Sequence, residues 1–173
     1  MAQQKQNAEK KDAVQSDIRI LIINKGFGNA EQRLDQLRRT FSDKNIVTLE
    51  LTEPSDKSKY EESVRKLINK TLEFRPNVII ASSRGGVYAG SLLNSDHKEV
   101  SAYLKTHCGM LLLSAMGTLR CAMSNAPIVL YHARRDSTNK IENVRAHCAS
   151  YPLSQLIVAE KRYTFAREPQ RRR

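Results

Sequence analysis

The chain has 173 residues, 40% of them hydrophobic, three cysteines and a formal net charge of +11. This length suits one domain, which can bury a core without metal or disulfide staples. No apolar run is long enough to span a membrane, and residues 1–16 lack the apolar core of a signal peptide. We therefore expect a cytoplasmic protein, without a signal peptide or membrane span.

We predict three segments along the chain: a flexible leader over 1–16, one folded domain over 17–165 and a basic tail over 166–173. Between 161 and 173 there are six basic residues and one acid, a local net charge of 6 − 1 = +5. A basic tail attracts polyanions in a salt-sensitive, sequence-blind way, so an RNA or acidic protein assembly is one expected partner. The alternative is that the charge serves solubility alone.

The cysteines Cys108, Cys121 and Cys148 are scattered, with no CxxC pair and no histidine at metal-ligand spacing. Such a set is typical of reduced intracellular thiols that pack as small hydrophobic residues. We expect no metal and no cofactor. A catalytic pair of Cys108 with His107 is an alternative, although neighbours in sequence usually point in different directions.

The first half of the chain alternates apolar, β-branched runs with helical patterns. Leu34, Leu37 and Phe41 recur at helical intervals on one face, and a glycine-bearing turn at Gly26 and Gly28 precedes them. In chain order we predict a strand over 18–23, a helix over 30–42, a strand over 45–51, a helix capped by Ser58 that stops before Pro76, and a strand over 78–81.

The second half repeats this alternation. Asn139 and Glu142 have the spacing of a capping box, which predicts a helix start. The polar stretch over 94–106 fits either a helix or a loop. In chain order we predict a helix over 84–93, strands over 110–113 and 128–131, a helix over 139–149 and a strand over 155–159.

Strands that alternate with helices at this spacing predict an α/β fold. The expected architecture is a three-layer sandwich of about six mostly parallel strands flanked by helices. Right-handed crossovers place helices on both faces, and ligands bind beyond the carboxyl ends of the strands. Nucleotide binding is disfavoured, because the chain has neither a complete dinucleotide fingerprint nor a P-loop.

The residues around Ser83 lie between a predicted strand and a predicted helix. Ala81 and Gly85 stand two positions on either side of Ser83, which gives an A-x-S-x-G pattern. A nucleophile elbow requires this arrangement, because small neighbours allow a sharp turn that exposes the hydroxyl above the sheet. The helix beginning at Arg84 would direct its N-terminal dipole at the same place, which favours a developing oxyanion.

With Ser-Ser-Arg-Gly-Gly at this turn, the chain resembles an α/β-hydrolase, closest to the small esterase and dienelactone-hydrolase-like branch, from about residue 18 to 165. The resemblance implies Ser83 as nucleophile and Asp136 as triad acid, in the family's chain order. It also implies that Phe27, in Ile-Ile-Asn-Lys-Gly-Phe-Gly, and Arg84 supply the oxyanion-hole N–H groups.

The sequence departs from the family pattern at the triad histidine. Tyr163 stands where that base is expected, and a phenol with a pKa near 10 does not readily accept a proton at neutral pH. His132, at the end of the strand before Asp136, is the best substitute. The alternative role for His132 is a strand-end residue hydrogen-bonded to a nearby loop. We expect His147 to pack in a helix, and His97 and His107 to face solvent.

Two functions follow from these residues. The first is a serine-hydrolase-like domain, a weak carboxylesterase or thioesterase that uses Ser83 on a small acyl ester. The second is a catalytically inactive α/β-hydrolase-like module that serves as a binding or scaffold subunit of a larger, RNA-containing assembly.

Overall fold

The computed structural model describes residues 18–24, 35, 38–39, 41, 45–51, 57–113, 126–136 and 139–160. The predicted leader over 1–16 and the predicted tail over 166–173 lie outside these residues. Within them the elements, in chain order, are β1 (Ile20–Asn24), β2 (Ile46–Glu50), α1 (Lys57–Phe74), β3 (Val78–Ser82), α2 (Gly85–Leu93), α3 (Lys98–His107), β4 (Gly109–Leu113), β5 (Ile128–Ala133), α4 (Ile141–Ser150) and β6 (Ser154–Ala159).

The six strands form one sheet in the order β2-β1-β3-β4-β5-β6, and each neighbouring pair is parallel. The prediction of an α/β fold with about six parallel strands between helices is therefore confirmed. β1 lies inside the sheet, because the chain first adds β2 on one side of it and later adds β3 on the other. Of the helix predicted over 30–42, Asp35 and Arg38 are helical and the remainder lies mostly outside the described residues.

The strands are apolar because both of their faces are covered. One face carries the larger core, in which Leu21, Ile79, Leu112 and Leu130 pack with side chains from α1, α2, α3 and α4. The opposite face carries a smaller cluster of strand residues, against which Phe41 packs. Parallel sheets need cover on both faces, which explains the runs of Ile, Leu and Val without polar alternation.

The long helix α1 presents its predicted apolar face to the larger core. Leu67 is completely buried, and Val64, Ile68 and Leu72 pack partly buried beside it. The helix is described from Lys57, so Ser58 lies in its first turn and the prediction of Ser58 as its cap is wrong.

Helix α1 ends at Phe74 and is followed by Arg75, in a left-handed conformation, and by Pro76. Arg75 has a φ of 52°, and its N–H donates to the Thr71 carbonyl at 2.9 Å. A left-handed residue commonly ends a helix, and the Pro76 that follows cannot continue it. The Tyr103 hydroxyl then donates to the Pro76 carbonyl at 3.0 Å, which fixes the entry of the chain into β3.

Two sequence predictions in the second half of the chain have clear outcomes. The polar stretch over 94–106 contains helix α3, whose N-cap His97 accepts a hydrogen bond from the Val100 N–H at 3.5 Å. Helix α4 has Lys140 as its N-cap, so the prediction that Asn139 caps it is wrong by one position.

Among the described residues, no helix combines the length and apolar character that a bilayer span requires.

Candidate active site

Ser83 occupies a sharp turn between the end of β3 and the start of α2. Its φ is 48°, in the left-handed region that residues other than glycine rarely adopt. The Ser83 N–H donates to the Leu113 carbonyl at 3.1 Å, and the Ser83 carbonyl accepts from the Gly86 N–H at 3.0 Å. The backbone on both sides of Ser83 is therefore fixed, while the residue itself is partly exposed.

The strand order places the turn at the point where open α/β sheets carry their ligand-binding crevice. The chain leaves β1 toward Phe41 on one face of the sheet, whereas it leaves β3 into α2 on the other face. Connections that depart to opposite faces open a space between the carboxyl ends of the two strands, where ligands of open α/β sheets bind. Ser83 follows β3 directly and so borders this space.

Helix α2 begins behind the turn. Arg84, its N-cap, has helical dihedral angles (φ −62°, ψ −24°) and an exposed side chain. Gly85 and Gly86 follow, both buried. A helix start concentrates backbone N–H groups and positive dipole at one point, which is the environment that stabilises an oxyanion. Phe27, the other predicted oxyanion donor, lies outside the described residues.

Asp136 lies beyond the carboxyl end of β5, and it is 9% exposed. One of its carboxylate oxygens accepts a hydrogen bond from the Asn139 N–H at 3.1 Å, and the Asp136 N–H donates to the Ala133 carbonyl at 3.1 Å. Since only β4 separates β3 from β5, Asp136 and Ser83 follow strands about 10 Å apart. The two residues thus lie at the same edge of the sheet, two strands apart.

His132 lies near the end of β5 and is 2% exposed. Pairing puts Ser82 level with Leu113, and Leu113 level with Tyr131, so His132 is one residue beyond this row, as Ser83 is. The His132 Nε2 is 2.7 Å from the Asn139 carbonyl oxygen. Because a carbonyl only accepts, this nitrogen carries the proton, and Nδ1 is the acceptor in a neutral ring.

Asp136 and His132 both bond the backbone of Asn139, one through its N–H and the other through its carbonyl. These bonds connect Asn139, just before α4, to the end of β5. The structure thus shows the hydrogen bond to a nearby loop that was the alternative role of His132. The sequence signal for Asn139 as its partner is weak, because Asn139 itself resembles a helix cap.

The remaining histidines follow the predicted pattern. His97 and His107 are exposed, whereas His147 is 7% exposed and stacks near Tyr151. Tyr163, at the position of the family's base, lies outside the described residues.

A cysteine nucleophile at position 108 is not supported. The Cys108 side chain is buried, and burial raises the pKa of its thiol from 9.0 to about 12. The neighbouring His107 instead stacks on the Tyr103 ring, with its Nδ1 hydrogen-bonded to Thr106. A thiol with a pKa of about 12 is almost entirely protonated at neutral pH and so supplies almost no nucleophilic thiolate.

One groove lies elsewhere, between β2 and α1. It has a volume of about 530 Å³ and is lined by Leu49 and by polar side chains of α1, among them Arg65, Lys70 and Glu73. This groove lies on the far side of β1 from Ser83, so it plays no part in the turn described above.

Solved hydrolase structures superimpose on most of the chain. Thermogutta terrifontis esterase 2 in its apo form is 12% identical, with a TM-score of 0.54 over 84% of this chain and 73% of that chain. A sugar hydrolase from Lactococcus lactis is 14% identical, with a TM-score of 0.55 over 84% and 75%. MGS-M1, an alpha/beta hydrolase enzyme from a Medee basin deep-sea metagenome library, is 10% identical, with a TM-score of 0.53 over 88% and 72%.

No protein-family model and no curated protein matches the sequence. At identities of 10–14% the structural likeness concerns the fold. The strand order, the parallel pairing and the superposition agree with the resemblance first noted around Ser83. The chain therefore has an α/β-hydrolase-like fold.

Proposed function

We propose that the chain is a serine hydrolase of the esterase type, which cleaves a carboxylic ester or thioester through Ser83. The observation that carries the proposal is the left-handed backbone of Ser83, with a φ of 48°, between a parallel strand and a helix start. Strain of this kind costs on the order of 1–3 kcal/mol and persists where the surrounding structure enforces it, typically at functional sites.

In the proposed reaction the Ser83 hydroxyl oxygen attacks the acyl carbon. The bond from this carbon to the leaving alcohol or thiol breaks, and the proton lost by Ser83 passes through a base to the leaving group. Water then hydrolyses the acyl-enzyme and restores the hydroxyl. The N–H groups of Arg84 and Phe27 are the proposed donors to the negatively charged carbonyl oxygen between these steps.

Asp136 and His132 are the proposed partners of Ser83 in proton transfer. The bond from His132 Nε2 to the Asn139 carbonyl leaves Nδ1 as the ring's proton acceptor, which suits a base. Asp136 is the proposed acid, because it follows β5 at the same edge of the sheet as Ser83. The Nε2–H of His132 bonds the Asn139 carbonyl and not Asp136, so the base lacks the carboxylate partner of a triad and we expect weak turnover.

A fluorophosphonate probe tests the proposal, because it reacts covalently with an activated serine. We expect a Ser83 adduct on the native protein, its loss in Ser83→Ala, and its retention in the matched control Ser82→Ala, which changes the neighbouring buried serine. Mass spectrometry of the peptides locates the adduct. A folded native protein that acquires no adduct on Ser83 contradicts the proposal.

A specific observation favours a second candidate, an inactive hydrolase-like module. Both proposed partners of Ser83 already hydrogen-bond the backbone of Asn139, Asp136 at 3.1 Å and His132 at 2.7 Å. These contacts give both residues a structural role. In this alternative the domain serves as a subunit of a larger assembly, joined to RNA or an acidic protein by the basic tail. Size exclusion from cell extract, with and without nuclease, tests this alternative: an assembly subunit elutes in a large complex, which nuclease dissociates if RNA holds it together. Elution as a lone, nuclease-insensitive monomer contradicts it.

A further inference from the structure

Strand β6 lies at one end of the sheet and has exposed apolar side chains. Leu153, just before the strand, is 48% exposed, and Ile157, within the strand, is 43% exposed. No other large hydrophobic side chain in the described part of the chain is exposed. Single exposed hydrophobic residues scattered over a surface are ordinary, whereas their concentration along one strand indicates a contact surface.

The outer side of β6 offers backbone groups for pairing. Among the described residues, its strand partner is β5 alone. The Arg134 N–H donates to the Ala159 carbonyl at 2.7 Å, which directs the backbone of Ala159 toward β5. Backbone direction alternates along a strand, so the N–H and carbonyl groups of Leu156 and Val158 face away from β5.

The charge of this edge favours a particular partner. Edge strands are normally protected by charged side chains, whereas residues 149–159 carry no charge and their one proline, Pro152, lies before the strand. The whole chain has a net charge of +11, so two copies repel each other except where their surfaces are uncharged. The edge of β6 meets this condition, and a second copy of the chain therefore fits it.

We propose that β6 pairs with β6 of a second copy, antiparallel and about a two-fold axis, so that the two six-stranded sheets become continuous. A two-fold interface places the same residues on both sides, which allows a strand to pair with itself. The hydrogen bonds between the copies use the outward backbone groups of Leu156 and Val158, and the pairing covers part of the exposed Ile157 side chain.

The expected interface is small. Six residues that rise about 3.3 Å each form an edge about 20 Å long. The sheet and the helix α4 that packs on β6 are together about 20 Å high. The resulting area of about 400 Å² per copy is half of the roughly 800 Å² that each partner contributes to a standard interface. We therefore expect a weak dimer that forms at high protein concentration.

The dimer is independent of the proposed function. Ser83 follows β3, three strands away from β6, so about seven strand spacings, or about 33 Å, separate the two Ser83 turns. Antiparallel pairing also places the two turns at opposite edges of the continuous sheet. Neither copy contributes a residue to the other's site, and reactivity at Ser83 is expected to be the same in monomer and dimer.

Sedimentation equilibrium of the full chain in reductant, from micromolar to millimolar concentration, tests the proposal. We expect the mean mass to rise toward twice that of the monomer as concentration rises. Ile157→Lys puts like charges on the two paired edges and is expected to weaken the dimer about tenfold. Ala102→Lys, which adds the same charge at an exposed position of α3, is the matched control and is expected to leave the dissociation constant unchanged.

Hydrogen exchange of the native protein locates the contact without any variant. The amide protons of Leu156 and Val158 should exchange more slowly at high protein concentration, whereas that of Ile157, which faces β5, should not depend on concentration. A folded protein that stays monomeric at millimolar concentration overturns the proposal. A dimer in which the Leu156 and Val158 amides gain no protection, or which Ile157→Lys leaves unchanged, overturns it as well.

Discussion

Ser83 stores strain that a glycine would release, because its φ of 48° costs an L-residue about 1–2 kcal/mol. Glycine adopts this angle freely but loses about 0.5–1 kcal/mol through the greater freedom of the unfolded chain. We therefore predict that Ser83→Gly raises the free energy of unfolding by roughly 0.5–1 kcal/mol, as measured by urea denaturation.

Ser82→Gly is the matched comparison for this prediction. Ser82 lies in β3 and is buried, so glycine there only weakens a strand and should lower the free energy of unfolding. Equal destabilisation by both substitutions would show that the backbone at Ser83 is not strained.

Residues differ in how far the sequence alone reveals their role. The turn at Ser83 was predictable, since a sharp bend between a strand and a helix needs small residues, and Ala81, Gly85 and Gly86 supply them. A loop hydrogen bond was one of the two roles expected for His132, but its partner Asn139 was not predictable, because no spacing rule relates a strand end to a carbonyl seven residues later.

Helix α2 lies almost wholly inside the molecule, so most of its residues contribute to the stability of the core. Seven of its nine residues are buried, and Leu92 and Tyr88 are 0% exposed. The Tyr88 ring stacks on Tyr60 of α1, with 5.3 Å between ring centroids. The helix that starts at the proposed site is therefore also a central part of the core.

Removing a buried side chain from α2 should destabilise the whole domain. We predict that Leu92→Ala lowers the free energy of unfolding by about 2–5 kcal/mol, because it removes apolar contacts and leaves a cavity. Leu153→Ala is the control: this leucine precedes β6 and is 48% exposed, so a change within about 0.5 kcal/mol is expected. Thermal melting or urea denaturation measures both, and similar losses in the two variants would contradict the assignment of α2 to the core.

The elements that the sequence identified best were those with strong apolar patterns. Each predicted strand within the described residues was found, and no strand end moved by more than two residues. Helix α3 was harder to predict, since charged and polar residues surround Val100, Tyr103 and Leu104. Their spacing is helical and all three are buried. The helical periodicity was therefore present in the sequence, but the many polar residues made a loop an equally good prediction.

At the scale of the whole molecule, buried ionisable groups should limit stability at high pH. Burial raises the pKa of the Cys108 thiol from 9.0 to about 12, and burial also raises the pKa of Tyr103, with the nearby Cys108 contributing. Below pH 9 both states of the protein keep the Cys108 proton. Between pH 9 and 12 only the unfolded state releases it, so stability falls as pH rises, by about 1.4 kcal/mol per pH unit for this thiol.

We predict that the free energy of unfolding declines from pH 9 to 11 and declines less steeply in Cys108→Ala. Cys148→Ala, which changes a less buried free cysteine, should retain the native slope. Urea denaturation at several pH values gives the slopes. A Cys108→Ala slope identical to that of the native protein would mean that this thiol titrates alike in both states.

The position of β1 inside the sheet also has a consequence for how the chain is made. β2 leaves the ribosome soon after β1, whereas the strand for the other side of β1 is β3, whose Val78 pairs with Ile20. Until β3 has been synthesised, one edge of the hydrophobic strand β1 has no partner, and such an edge invites pairing with other chains. The stretch between β2 and β3 contains α1, so the time needed to translate that helix sets how long the nascent domain stays vulnerable.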